Sequence, residues 1–158
     1  MIKQPYVNLR QLQLLDLLIW REAGNQPYEG MRAVGHVVRN RVNSGVTWWG
    51  IGWTQVMLHP EQFSSFNPGS TGDARWPAEA DPSFMLSCSA AAVVYQGIDI
   101  DLTQGALFYH DSSIGWPAAW GNQNDFVNTV NIGQLSFYKP IAGFVAVKTG
   151  VAKKIVAL

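Results

Sequence analysis

The chain has 158 residues, enough for one domain with a real core, and 47% of them are hydrophobic. Its 11 basic and 11 acidic residues cancel, so no long-range field recruits a polyanion such as nucleic acid. Only 14% of residues are charged and seven are tryptophan, which favours neutral, hydroxyl-rich or stacking ligands over phosphates.

The segment Met1–Tyr6 has no apolar core of a secretion signal, so the chain is expected to be made in the cytoplasm and to stay there unless something releases it. Asn8 can cap a helix running from about Leu9 to Arg21. Counting back from Glu22, the residues Ile19, Leu18 and Leu15 share one helical face with it. The acid therefore ends the stripe that faces the core, among apolar neighbours and near the negative end of the helix dipole. A carboxyl group so placed is a candidate general acid. The competing reading is an ion pair with Arg21, Arg39 or Arg41 that ties two helices together.

Gly24-Asn25 breaks the first helix, and Pro27 suits the first turn of the next. Gly30–Asn43 follows as a second helix, with Met31, Val34, Val38 and Val42 at helical spacing, stopped by Ser44-Gly45. Residues Val46 to Ala80 are rich in Trp, Pro, Gly and Ser and are expected to be an ordered loop region. Asp81-Pro82 supplies a cap and a first-turn proline for a third helix to Gln96, ended by Gly97. Cys88, the only cysteine, excludes an internal disulfide and reads as a buried, inert thiol in small-residue packing. Ala106–His110 reads as a strand, and Thr129–Ile132 with Leu135–Tyr138 as a hairpin around Gly133-Gln134.

The tail from Ile141 is interrupted by Lys148, Lys153 and Lys154, so it does not span a membrane. A final strand or helix packed on the domain, lysines at its rim, is preferred to a basic end that approaches an anionic membrane. With no repeat or linker, residues 1–158 form a single domain in which 141–158 is a C-terminal extension. His36, His59 and His110 are scattered, and no spacing matches a zinc site, a phosphate loop or a nucleophile elbow. No metal or other cofactor is expected, and a monomer is.

The run from Trp20 to Val42 resembles the opening motif of the SleB-type cell wall hydrolase family, which includes spore-cortex-lytic enzymes. It contains Trp20-Arg21-Glu22-Ala23, Pro27-Tyr28-Glu29-Gly30 and Arg39-Asn40-Arg41-Val42. Three further blocks follow in the family's order: Gln62–Ser64, Gly105–His110 and Ile132–Tyr138. The resemblance covers roughly Leu14 to Lys139. It implies a lysozyme-like α+β fold of the lytic transglycosylase type, mainly helical with a small antiparallel sheet. It also implies cleavage of the peptidoglycan glycan strand between N-acetylmuramic acid and N-acetylglucosamine, with formation of a 1,6-anhydro end. Two departures stand out. Arg21 occupies the position of a family glycine, and Gly24-Asn25-Gln26 replaces an Arg-Gly-Glu, so one acid becomes Gln26. If that acid contributes chemistry in the family, this protein should be impaired; if it only holds a loop, glutamine suffices. A compact, signal-less version resembles a bacteriophage endolysin, which depends on a partner membrane pore for release.

The implied chemistry needs one carboxyl group, Glu22, which protonates the leaving oxygen and then takes the proton of the sugar's C6 hydroxyl. A water-using muramidase would instead need a second carboxylate, for which Glu29, Glu61, Asp73, Asp111 and Asp125 are the candidates. Glu29 is read as a helix-start residue. Tyr109 is the residue expected to orient the sugar or Glu22. Gln62 and Ser64 are assigned to acetamido groups with Phe63 packed beneath them. Trp116 and Trp120 are placed in a loop covering the cleft, and His110 and Tyr28 complete the substrate-contact set. A glycan-binding module without activity is the alternative from a different class.

Overall fold

The computed structural model describes residues 9–70 and 74–141, together with the backbone of two strands at 144–149 and 152–157. Four helices and three strands form the body: α1 Gln11–Ala23, α2 Tyr28–Asn43, α3 Gly52–Leu58, α4 Pro82–Gln96, β1 Phe108–Asp111, β2 Phe126–Ile132 and β3 Leu135–Pro140. The mixed, mainly helical α+β architecture is the one expected.

Helix α1 is the axis of the core. Leu14, Leu15, Leu17, Leu18, Ile19, Trp20 and Ala23 are all buried, so the helix is apolar around most of its circumference and must be wrapped by others. Helices α2, α3 and α4 pack around it. The backbone N–H of Arg10 donates to Gln13 Oε1 at 3.0 Å and closes its start; the expected cap Asn8 lies outside the described residues. Helix α4 has the expected bounds. Asp81 Oδ1 accepts from Ser83 N–H at 2.9 Å and Phe84 N–H at 3.3 Å, and Gly97 ends the helix in the left-handed region at φ 73°.

The region expected as loop, 46–80, contains α3 and a 3-10 turn at Ser64–Phe66. Helix α3 escaped the composition argument because Gly and Trp flank it. It exists because Val56, Met57 and Leu58 dock into the core beside Trp49.

The sheet order is β1-β3-β2, all antiparallel, with Tyr109 opposite Phe137 and a register shift between Asn128 and Val130. Polar rungs on α2 hold the connection that leads into β1. His36 Nε2 lies 2.9 Å from Asp99 Oδ2, Arg32 pairs with Asp99 at 3.3 Å, and Asn40 Nδ2 donates to Asp101 and to the Ala106 carbonyl, each at 3.0 Å. Residues 32, 36 and 40 are one face of a helix at a spacing of four, so one helix pins the whole connection.

Strands β4 Phe144–Thr149 and β5 Ala152–Ala157 pair with each other as a separate hairpin. Residues 144–149 and 152–157 of the tail are thus strand, while the positions of its lysine side chains fall outside the described residues. No helix among the described residues is long and apolar enough to cross a membrane.

Cys88 is half-buried at the α1–α4 contact, with its thiol pushed up to about 11 by burial and by the neighbouring Asp16 carboxyl. It is a thiol, not a thiolate, at neutral pH.

Candidate active site

Glu22 projects from the last turn of α1, above Leu15, Leu18 and Ile19, which are fully buried. Its stripe is apolar as read from the sequence, but its carboxylate is not in apolar surroundings. The Ser65 backbone N–H donates to Oε1 at 3.1 Å, and the Tyr109 hydroxyl donates to Oε2 at 2.8 Å. These donors arrive from the 3-10 turn and from β1, which helical periodicity cannot see.

Burial first, then the negative charge and hydrogen bond of Glu22, hold the Tyr109 hydroxyl well above the ordinary phenol range. Tyr109 is therefore a neutral donor at any physiological pH.

The ion-pair reading of Glu22 gives way to a different use of the arginines: among the described residues Glu22 makes no direct ion pair. Arg39 donates to the Val94 and Tyr95 carbonyls at the end of α4. Arg41 donates through Nε to the Leu107 carbonyl at 2.8 Å and through Nη1 to Gln62 Oε1 at 3.4 Å. Its guanidinium is buried among the rings of Phe63, Trp49 and Phe108. Burial lowers Arg41 to about 10, partly offset by the neighbouring Tyr109 and by the negative charge of Glu22, so it remains a cation at neutral pH. This cation lies behind the acid and balances its charge through the low-dielectric interior.

Glu22 opens into a cleft of about 660 Å³ that is also lined by Trp20, Trp48, Gln62, Ser64, Tyr109, His110 and Trp120. The volume is that of a small-molecule site. The ring of His110 stacks on Tyr138 at 5.5 Å, its Nδ1 lies 2.8 Å from the Asp111 carbonyl, and Nε2 is buried with no hydrogen-bond partner among the described residues.

Three residues assigned to substrate contact lie elsewhere. Phe63 is fully buried beneath Arg41, where its face stabilises the guanidinium. Trp116 does not line the cleft. It packs edge-on against Trp120, Phe126 and Tyr138, and its indole N–H donates to the Gly121 carbonyl at 2.7 Å. Tyr28 is also off the cleft: it lies under Arg32, with its hydroxyl 3.2 Å from Ser89 Oγ. Their aromatic character is explained by packing.

Of the candidate second acids, Glu61 and Asp111 line the cleft, whereas Glu29 and Asp125 do not; Asp73 is outside the described residues. Hydrogen bonds from Ser113 hold the partly exposed Asp111 carboxyl below its ordinary range.

Gln26 holds a loop. Its Oε1 accepts from the Gln134 N–H at 2.9 Å, and its Nε2 donates to Asn25 Oδ1 at 3.2 Å, tying the α1–α2 turn to the β2–β3 hairpin. Gly133, at φ 57°, makes room: a Cβ there would come 2.5 Å from Gln26 Oε1.

Arg21 grips the segment opposite. Its Nε and Nη2 donate to the Arg75 carbonyl, the former at 2.9 Å, and its Nη1 donates to the Ser65 carbonyl at 3.2 Å. Residues 21 and 22 thus hold Ser65 from both sides of its backbone, carbonyl and N–H. Ser65 was missed because a backbone donor carries no sequence signal. Arg41 had one: it continues the buried face of Val34, Val37 and Val38 on α2, as Glu22 does on α1.

This is an α+β domain in which Glu22, held at both carboxylate oxygens, opens into a cleft flanked by the indole rings of Trp20, Trp48 and Trp120. The chain belongs to the cell wall hydrolase family, which matches residues 25–138. That match begins just after Glu22. Two solved structures share the fold. The catalytic domain of the germination-specific lytic transglycosylase SleB from Bacillus anthracis is 22% identical with a TM-score of 0.64, covering 87% of this chain and 100% of its own. The catalytic domain of the Bacillus cereus SleB protein is 23% identical with a TM-score of 0.62, covering 82% and 89%. No curated protein matches the chain in sequence.

Proposed function

We propose that this protein is a peptidoglycan lytic transglycosylase that cleaves between N-acetylmuramic acid and N-acetylglucosamine, with Glu22 as acid and then base. The observation that supports it is the placement of one carboxylate, held at both oxygens by Ser65 N–H and the Tyr109 hydroxyl, in a glycan-sized cleft. Membership of the cell wall hydrolase family and the fold shared with SleB catalytic domains support the substrate class.

Protonated Glu22 gives its proton to the glycosidic oxygen as the C1–O bond breaks, leaving positive charge on the muramyl ring. The resulting carboxylate is stabilised by the Ser65 and Tyr109 donors and by the Arg41 cation. It then takes the proton of the muramyl C6 hydroxyl while that oxygen bonds to C1. The 1,6-anhydro ring forms and Glu22 is protonated again, so one residue completes the cycle.

Glu61 and Asp111 favour a second reading, hydrolysis, because a carboxylate across the cleft could activate water. Mass spectrometry of products from purified peptidoglycan separates the two. Anhydromuramyl ends from the wild type and none from Glu22→Gln are expected. Reducing muramic acid ends would replace the transglycosylase by a muramidase. Binding without any product would make the domain a glycan-binding module.

A further inference from the structure

We propose that Arg75, packed over the Trp20 ring at the cleft, forms an anion subsite that takes a carboxylate carried by the muramyl side chain; this rests on the glycan-cleaving reading above. The dipeptides Trp20-Arg21 and Arg75-Trp76 cross. The Arg75 guanidinium carbon is 4.8 Å from the Trp20 ring centre, and the Arg21 guanidinium carbon is 5.1 Å from that of Trp76. Arg21 also holds the Arg75 carbonyl, so the backbone that carries the exposed guanidinium is clamped to α1. Trp20, Arg75 and Glu22 line the same cleft.

Three arginines line that cleft, and they differ in what engages their donors. Arg21 and Arg41 are buried and donate to protein oxygens of Ser65, Arg75, Leu107 and Gln62. Arg75 has neither a carboxylate nor a carbonyl partner among the described residues, where the ion pairs all involve Asp99 or Asp101. The Trp20 indole lies on one side of the Arg75 guanidinium, and the side chain as a whole is exposed. A fork with an aromatic backing and a fixed backbone is pre-organised for bidentate binding of a carboxylate.

The sugar rings of the glycan carry no charge. Carboxylates occur on the muramyl 3-O-lactyl group once the peptide is removed, and on the stem peptide when it is present. Either presents the chemistry that Arg75 matches, and both hang from the residue whose C1 is attacked.

The test compares kcat/KM of the wild type and Arg75→Met on four soluble glycan strands. Two carry stem peptides and two are stripped to free lactyl groups; one of each has its carboxylates converted to amides. The wild type is expected to prefer a carboxylate strand over its amide by roughly tenfold, the worth of one charge-assisted hydrogen-bonded pair. In Arg75→Met that ratio is expected to fall to about one. Preference confined to stem-bearing strands assigns the peptide carboxylate; preference confined to stripped strands assigns the lactyl carboxylate. Wild-type cleavage without any preference, or a preference unchanged in Arg75→Met, overturns the subsite and leaves the glycan-cleaving reading intact. Failure of the wild type to cleave any strand overturns both.

Discussion

The Tyr109 hydroxyl donates to Glu22 Oε2 at 2.8 Å, from a residue 87 positions further along the chain. The ring that carries it packs on Phe137, with centres 5.8 Å apart, and that packing survives loss of the oxygen. Tyr109→Phe should therefore lower kcat by about ten- to a hundredfold, the equivalent of about 1.5–3 kcal/mol for one hydrogen bond to a charged group. Thermal unfolding of the variant should barely change. Full activity in single-turnover assays would remove Tyr109 from the acid's support.

Asp16 gives stability an unusual pH slope. Burial, weakly opposed by a hydrogen bond from Cys88, raises its carboxyl to about 6 from 3.8. The folded state then binds this proton more tightly than the unfolded state, so the contribution is fully present below about pH 4 and is lost as pH rises through about 6. A fully buried group would lose about 3 kcal/mol, and solvent access to this half-exposed one reduces that to about 1 kcal/mol. Asp16→Asn should raise the melting temperature at pH 7.5 and leave it unchanged at pH 4. Equal effects at both pH values would refute the linkage.

Gln26 should prove to be a structural residue. Gln26→Leu leaves the Gln134 N–H without its acceptor and should cost about 1–3 kcal/mol in denaturant unfolding. Gln26→Glu keeps the acceptor and should cost less than half as much. If Gln26→Glu instead raises kcat severalfold at equal stability, an acid at this position takes part in the chemistry.

Arg41→Lys keeps a positive charge but loses the fork shared between the Leu107 carbonyl and Gln62, and the flat contact with Phe63, Trp49 and Phe108. A destabilisation of about 2–3 kcal/mol is expected in urea titrations. A variant as stable as the wild type would show that the charge alone is what this site requires.

Local signals carried much of the fold. Asp81-Pro82 and Gly97 bracket α4 because capping and helix termination are decided within a few residues. The stripe of Leu15, Leu18, Ile19 and Glu22 placed the acid on α1 for the same reason. What stayed illegible is long-range. Nothing near Ser65 announces that its N–H will meet Glu22, and nothing near Gly52 announces that α3 will find a core to dock on. Aromatic side chains were the least readable class: Phe63, Trp116 and Tyr28 suit a sugar platform and a packed interior equally, and the neighbours brought by the fold decide between them. Arg41 was legible in principle, as a charge on the buried face of α2, but its partners lie 21 and 66 residues away.

The two donors that hold Glu22 lie 43 and 87 residues beyond it. During synthesis the acid leaves the ribosome early, yet it has no cleft until β1 has emerged and paired with β3. A nascent chain therefore carries Glu22 before it carries the residues that position its carboxylate, and these contacts are long-range ones whose closure comes at an entropic cost. The geometry around Glu22 thus depends on the chain having been made and folded through β3.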